Sequence, residues 1–228
     1  MKVPAIIFSR MGSSRLPGKA LRHIAGEPLI KRVIDRVSKV KNLSTIVVAT
    51  SNSKTDDRLT QYIQSLNIEV FRGATHDVLN RAVSCASYLG VDKFVRINGD
   101  SPLIDPELLE KGIEMWTDPS LDLISNVFPR TYPVGMSVEI IKTDSLKKIL
   151  SLTVDNCDRE HVTRFFYRNP EKFRILNFES GRSELREVRL AVDTEEDLER
   201  IDWLFKEFGG LINFEMAAEK SLLWRRVE

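Results

Sequence analysis

The run Val3-Pro-Ala-Ile-Ile-Phe8 leads without a break into Ser9-Arg-Met-Gly-Ser-Ser-Arg-Leu-Pro-Gly-Lys19. A short, unbroken apolar run reads as a strand buried on both faces, the pattern of parallel sheets. The loop after it mixes small residues with cations. Gly12, Ser13, Ser14 and Gly18 let backbone N–H groups approach an anion closely. Arg10, Arg15 and Lys19 place three positive charges within ten residues: two guanidinium forks for phosphate oxygens and one mobile ammonium. A solvated basic loop is the plain alternative, but the direct junction to a buried strand argues for a polyphosphate site. The loop is not a Walker A motif, because five residues separate Gly12 from Gly18 and Ala20 follows Lys19. No hydroxyl is placed there for a metal ion, so any metal must be held elsewhere.

Working outward, strand and helix signals alternate. Pro28 can open a helix in which Leu29, Ile30, Val33, Ile34, Val37 and Val40 share one face. Strands are expected at 45–50, 68–71 and 93–97, and helices at 57–66 and 77–89. Such alternation predicts right-handed βαβ units, a mostly parallel sheet, and ligands beyond the carboxyl ends of the strands. The loops 9–19 and 98–102 both follow strands directly, so they are expected at one sheet edge. In the second half, strands are expected at 121–127, 137–141, 174–178 and 187–192, and a helix at 159–167. Thr194-Glu-Glu-Asp197 is a capping-box pattern opening a helix that buries Leu198, Ile201, Leu204 and Phe205. No repeat or linker interrupts the chain, so residues 1–228 read as a single domain.

Composition limits the function classes. Lys+Arg (34) and Asp+Glu (33) nearly cancel, which argues against a non-specific nucleic-acid binder. No stretch is apolar for long enough to span a bilayer, and the N-terminal apolar run is too short for a signal peptide, so a cytoplasmic protein is expected. Cys85 and Cys157 fit neither a zinc motif nor a redox pair, and Cys85 reads as a buried thiol.

Asp100 is the first metal candidate. It follows a buried strand in the turn Asn98-Gly-Asp-Ser-Pro102. Asp193, after an expected strand and before a helix, is the second, with a turn or cap residue as its plain alternative. Magnesium takes one or two carboxylates together with phosphate oxygens and waters.

Six segments in order carry a resemblance to a known family. Arg10-Met-Gly-Ser-Ser-Arg-Leu-Pro-Gly-Lys-Ala-Leu21 resembles the signature loop of the sugar-acid cytidylyltransferases, the synthetases of CMP-sialic acid and CMP-ketodeoxyoctonate. Asn98-Gly-Asp-Ser-Pro-Leu-Ile-Asp105 and Ala191-Val-Asp-Thr-Glu-Glu-Asp-Leu198 resemble two further elements of that family. Arg72-Gly-Ala-Thr-His-Asp-Val-Leu-Asn-Arg81, Arg130-Thr-Tyr-Pro-Val-Gly-Met-Ser-Val-Glu139 and Asp158-Arg-Glu-His-Val-Thr163 are similar to the branch containing spore coat polysaccharide biosynthesis protein F.

The resemblance implies a Rossmann-like α/β/α sandwich with a mostly parallel mixed sheet, the nucleotide-diphospho-sugar transferase (GT-A-like) fold. It implies CTP as donor, Mg²⁺ as cofactor, a sugar (an acidic one) as acceptor and pyrophosphate as product, in surface or spore-coat polysaccharide or glycan biosynthesis. Carried over by position, Arg15 and Lys19 would bind the triphosphate with Arg10, Gly12, Ser13 and Ser14. Asp100 and Asp193 would hold the metal. Ser51, Asn52, Asp77 and Arg81 would line the nucleotide pocket, with an exposed helix position as the alternative for Arg81. Tyr132, Glu139 and His161 are the acceptor candidates: a ring under a sugar face, an acceptor of hydroxyl hydrogen bonds, and a group orienting a carboxylate or hydroxyl. For His161 the alternative is a structural helix histidine. The pattern departs at Asn52 and Ser137, where relatives often carry acids, and these positions bear on the base and ribose contacts and on sugar preference. Relatives are often homodimers, for which the 128–135 loop is the candidate contact. Two rivals remain. A GT-A glycosyltransferase would carry Asp-x-Asp where this chain has Asn98-Gly99-Asp100. A non-catalytic nucleotide-binding relative would have no need of Arg15, Lys19, Asp100 and Asp193 together.

Overall fold

The structure is a computed structural model that describes residues 2–210 and 212–224. Strand β1 (Val3–Phe8) is followed by a two-stranded ribbon, β2 (His23–Ile24) with β3 (Glu27–Pro28), and by helix α1 (Leu29–Val37). Next come β4 (Leu43–Ser51), α2 (Asp57–Ser65), β5 (Glu69–Gly73), α3 (Val78–Tyr88), β6 (Lys93–Asn98) and α4 (Pro106–Glu114). The second half adds β7 (Leu123–Ser125), β8 (Glu139–Lys142), α5 (Thr143–Leu152), α6 (Asn156–Glu160), α7 (Arg164–Arg168), β9 (Ile175–Asn177), α8 (Glu195–Phe208) and α9 (Phe214–Ser221).

Seven strands form one sheet in the order β5-β4-β1-β6-β8-β7-β9. Neighbours run parallel except at β8, which is antiparallel to both β6 and β7. The expected mostly parallel mixed sheet is therefore present. Side-chain alternation along β1 shows why both faces are covered. Ala5 and Ile7 join a core formed with α1, α2, α4 and α8, while Ile6 joins a second core formed with α3, α5 and α7. Burying each such Ile, Leu or Val stabilises the fold by about 1.5–3 kcal/mol relative to exposure. Cys85 of α3 lies in the second core, where burial pushes its thiol up to about 12. Among the described residues, no helix is long and apolar enough to cross a membrane.

The capping box at Thr194 forms as expected. Thr194 accepts from the Asp197 amide, and the Asp197 carboxylate accepts from the Thr194 amide.

Two expected elements take another form. The 159–167 stretch is not one helix. It breaks at His161, with φ −105° and ψ 85°, because Val162 and Thr163 turn inward and are buried. The 187–192 stretch is not a regular strand either. It is a strap hydrogen-bonded to whatever it passes: Val134 N–H donates to Val188 O, Leu190 N–H to Val134 O, and Val192 N–H to Asp100 O. Gly135 permits this passage. Its φ is +104°, and a Cβ there would meet the backbone of Leu190 and Ala191 at 2.7 Å.

Candidate active site

The carboxyl ends of β1 and β6 lie side by side, which brings the two unusual loops together. Gly99 makes the approach possible. Its N–H donates to Phe8 O at 2.9 Å, and a Cβ would sit 2.7 Å from that oxygen and from Ser9 Cβ. A cleft of about 490 Å³ opens at this edge. The phosphate-loop candidates Arg10, Gly12, Ser13, Ser14, Arg15 and Lys19 line one side. Arg81, Arg96, Asn98, Asp100, Glu160, His161 and Asp193 are among the residues that line the rest.

The loop itself is tied at Met11. The Met11 carbonyl accepts from Ser13 N–H at 2.9 Å and Gly18 N–H at 3.0 Å. The amides of Gly12, Ser14 and Arg15 make no hydrogen bond to another described residue. Free amides beside cations are the composition of an anion-binding nest.

Lys19 reaches out of the loop to both acids. Its Nζ donates to Asp100 Oδ2 at 3.0 Å, Asp193 Oδ1 at 2.9 Å and Val192 O at 2.9 Å. Arg15 and Arg189 pair with Asp193 Oδ2 at 3.1 and 2.9 Å. Burial would push the Asp193 carboxyl up. The Lys19 hydrogen bond and charge, with Arg15 and Arg189, outweigh burial and hold it below the usual carboxylate range. A single ammonium within hydrogen-bond reach of both carboxylates means that one cation can contact both. Two carboxylates that already share one cation are a donor set that fits a divalent ion.

Three nucleotide-pocket candidates, Ser51, Asn52 and Asp77, are not among the residues that line the cleft. Ser51 is buried, with its hydroxyl and amide on Asp56. Asn52 is exposed, and its carbonyl oxygen accepts from the Thr75 hydroxyl. Asp77 caps α3 through the Asn80 amide and pairs with Arg159, so both of its oxygens are engaged. Arg81 is not the exposed helix residue of the alternative. It is buried, donates to Ala74 O, and keeps an Nε with no partner among the described residues.

The acceptor candidates separate in the same way. Tyr132 does not face a sugar. Its ring is buried against Phe178 and Phe214, and its hydroxyl donates to Glu179 O at 3.2 Å. Glu139 is buried and already committed, since Arg96 and the Tyr167 hydroxyl both donate to it. Burial opposes ionisation of Glu139, but the Arg96 charge and the Tyr167 and Thr163 hydrogen bonds hold its carboxyl below the usual range. His161 is exposed at the helix break and lines both the cleft and an adjoining chamber of about 460 Å³. Arg96 and Asn98 also line both spaces.

Asp56 was missed from the sequence, where it is one polar residue in a polar stretch. It is 1% exposed, and its carboxylate accepts from Met11 N–H at 2.8 Å, Thr50 Oγ1 at 2.8 Å and the Ser51 amide and hydroxyl. Asp56 thereby ties the phosphate loop to the end of β4. The Asp56→Ala variant leaves these donors unpaired and is expected to lose about 3 kcal/mol of stability. Urea unfolding at constant m-value measures the loss. A change below about 1 kcal/mol would show that the carboxylate does not anchor the loop.

A family model described as cytidylyltransferase matches residues 4–224. The chain belongs to the cytidylyltransferase family. It is a nucleotidyltransferase. It is 32% identical over 210 residues to the spore coat polysaccharide biosynthesis protein SpsF of Bacillus subtilis, covering 90% of this chain and 86% of that one. A solved cytidylyltransferase of Leptospira borgpetersenii superposes with a TM-score of 0.91 at 29% identity, over 96% of this chain and 93% of that one. The fold is shared more widely. A CMP:2-keto-3-deoxy-manno-octonic acid synthetase complexed with CTP superposes with a TM-score of 0.73 at 21% identity, over 91% and 99% of the two chains.

Proposed function

We propose that this cytidylyltransferase transfers CMP from CTP to a sugar, specifically an acidic sugar, and releases pyrophosphate. The observation that carries the reading is the meeting of phosphate loop and acids at Lys19, whose Nζ lies within 3.0 Å of both Asp100 and Asp193. A sugar oxygen attacks the α-phosphorus, the new O–P bond forms, and the bond to the β-phosphate oxygen breaks. Mg²⁺, held by Asp100 and Asp193, would neutralise phosphate charge and lower the pKa of an attacking hydroxyl. The free amides of Gly12, Ser14 and Arg15, with the Arg15 and Lys19 side chains, hold the triphosphate and the departing pyrophosphate. No protein group is assigned as general base. Arg81 offers an unpaired, buried N–H to the acceptor edge of cytosine. His161, on the wall between the cleft and the second chamber, is placed to orient an acceptor lying there.

The acidic sugar follows the keto-deoxy-octonic acid in the name of the CTP-bound synthetase. A role in polysaccharide biosynthesis follows the Bacillus subtilis relative. The chain is read as one catalytic domain because both cores share one sheet.

A ligand-induced shift of the melting temperature tests the donor. With Mg²⁺ and CTP at a hundredfold excess over Kd, the native state gains about 2.7 kcal/mol, which raises Tm by roughly 5–10 °C in a chain of this size. UTP, dTTP, ATP and GTP at the same concentration are expected to give less. An equal shift with UTP or dTTP would remove the cytosine assignment.

A further inference from the structure

The chamber beside the nucleotide cleft is built largely of guanidinium groups. Arg96, Arg130, Arg164 and Arg168 line it, with Glu139 as the one acid among its lining residues. Three of the four arginines have carboxylate partners. Arg96 pairs with Glu139, and Arg164 and Arg168 pair with Asp155 and Asp158. Arg130 differs. Its Nη2 donates to Ser137 Oγ at 3.1 Å and its Nη1 to Pro133 O at a long 3.4 Å. No carboxylate among the described residues forms an ion pair with it. The four guanidiniums face three carboxylates (Glu139, Asp155 and Asp158), and Arg130 is the one without a direct pair, with Glu139 reaching it only at longer range.

A half-buried cation held by one hydroxyl and one distant carbonyl has lost water without gaining full compensation. A planar or tetrahedral oxyanion would supply it through paired, charge-assisted hydrogen bonds. Arg96 adds a buried Nε with no partner on the same wall. Ser137 is the neighbour that leaves Arg130 uncommitted, since its side chain offers a neutral oxygen where a carboxylate would neutralise the guanidinium. Arg130 lines only this chamber and not the nucleotide cleft, so its charge is not spent on the triphosphate.

We infer that Arg130 anchors an anionic group of the acceptor, a carboxylate or a phosphate, and that Ser137 sets this preference by leaving the guanidinium unneutralised. The inference rests on the nucleotidyl-transfer reading only in placing an acceptor in this chamber.

Calorimetric titration of the full-length protein with three sugars tests it: 3-deoxy-manno-octulosonate (a carboxylate), glucose 6-phosphate (a phosphate) and glucose (neutral). At least one anionic sugar is expected to bind about tenfold or more tighter than glucose. The preference should disappear in Arg130→Gln and in Ser137→Asp, and survive in part in Arg130→Lys. Which anion wins separates carboxylate from phosphate. Equal binding of all three sugars by the unaltered protein overturns the inference. So does an anionic preference that persists in Arg130→Gln, since the anion then rests on a cation other than Arg130. The CTP-induced rise in Tm, measured on each variant, shows that it is folded with its nucleotide cleft intact. If CTP gives no shift in the unaltered protein, the nucleotidyl-transfer reading fails, and the comparison of sugars still decides the role of Arg130.

Discussion

Replacing Asp100 by asparagine is expected to lower kcat for pyrophosphate release from CTP and sugar by about 10³-fold, roughly 4 kcal/mol of transition-state stabilisation. The substitution keeps the side chain's size but removes the charge that, with Asp193, fits a divalent cation and now faces the Lys19 ammonium at 3.0 Å. Binding of CTP should weaken much less, because the loop amides and Arg15 remain. The metal requirement should move to higher Mg²⁺ concentration. Steady-state pyrophosphate release across a magnesium series measures both effects. Turnover within a factor of about three of the unaltered enzyme, with the same magnesium midpoint, would remove Asp100 from the site. The same assay separates nucleotidyl transfer from glycosyl transfer, which forms no pyrophosphate from CTP.

The second large effect is on stability. The Glu139→Gln substitution is expected to destabilise the protein by about 3–5 kcal/mol, because it strands the Arg96 guanidinium in a buried site. The sign of its pH dependence follows from the depressed Glu139 carboxyl. A carboxylate held below its unfolded value, about 4.3 for glutamate, contributes stability that is complete above that pH. That stability is lost as pH falls through the lower folded value. Chemical denaturation between about pH 7 and pH 3 should therefore show a shallower acid decline in Glu139→Gln than in the unaltered protein. Parallel curves would mean that the pair contributes nothing that titrates.

The parts of the site that were legible in the sequence are local ones. The loop from Ser9 to Lys19 declares itself through small residues and cations directly after an apolar run, and Asp100 through the turn after the next buried strand. Thr194 and Asp197 form their box because every atom involved lies within one helical turn. The parts that were not legible depend on distant chain segments. Glu139 reads as a free acid until the antiparallel register sets it opposite Arg96. Tyr132 reads as an exposed loop aromatic until Phe178 and Phe214 close over it. Asp193 reaches the site on an irregular strap. The bonds that hold this strap go to Val134 and Asp100, so no period-2 pattern in 187–192 could announce it. Arg96 carries a signal too, a cation set between Val95 and Ile97 in β6, and it lines the second chamber together with the acceptor candidates Glu139 and His161.

The knot at Met11 has a thermodynamic consequence. One carbonyl closes the loop from Ser13 and from Gly18, while the Met11 amide is clamped by Asp56. Residues 12–17 are thus a small ring whose ends already meet before any triphosphate arrives. Fixing a residue's backbone costs about 1–2 kcal/mol, so a loop closed in advance has already met part of the entropic cost that an open one would meet on binding. The affinity for a polyphosphate can then be set by the few side chains that project from the ring, and those side chains can change without unravelling the sheet edge beneath.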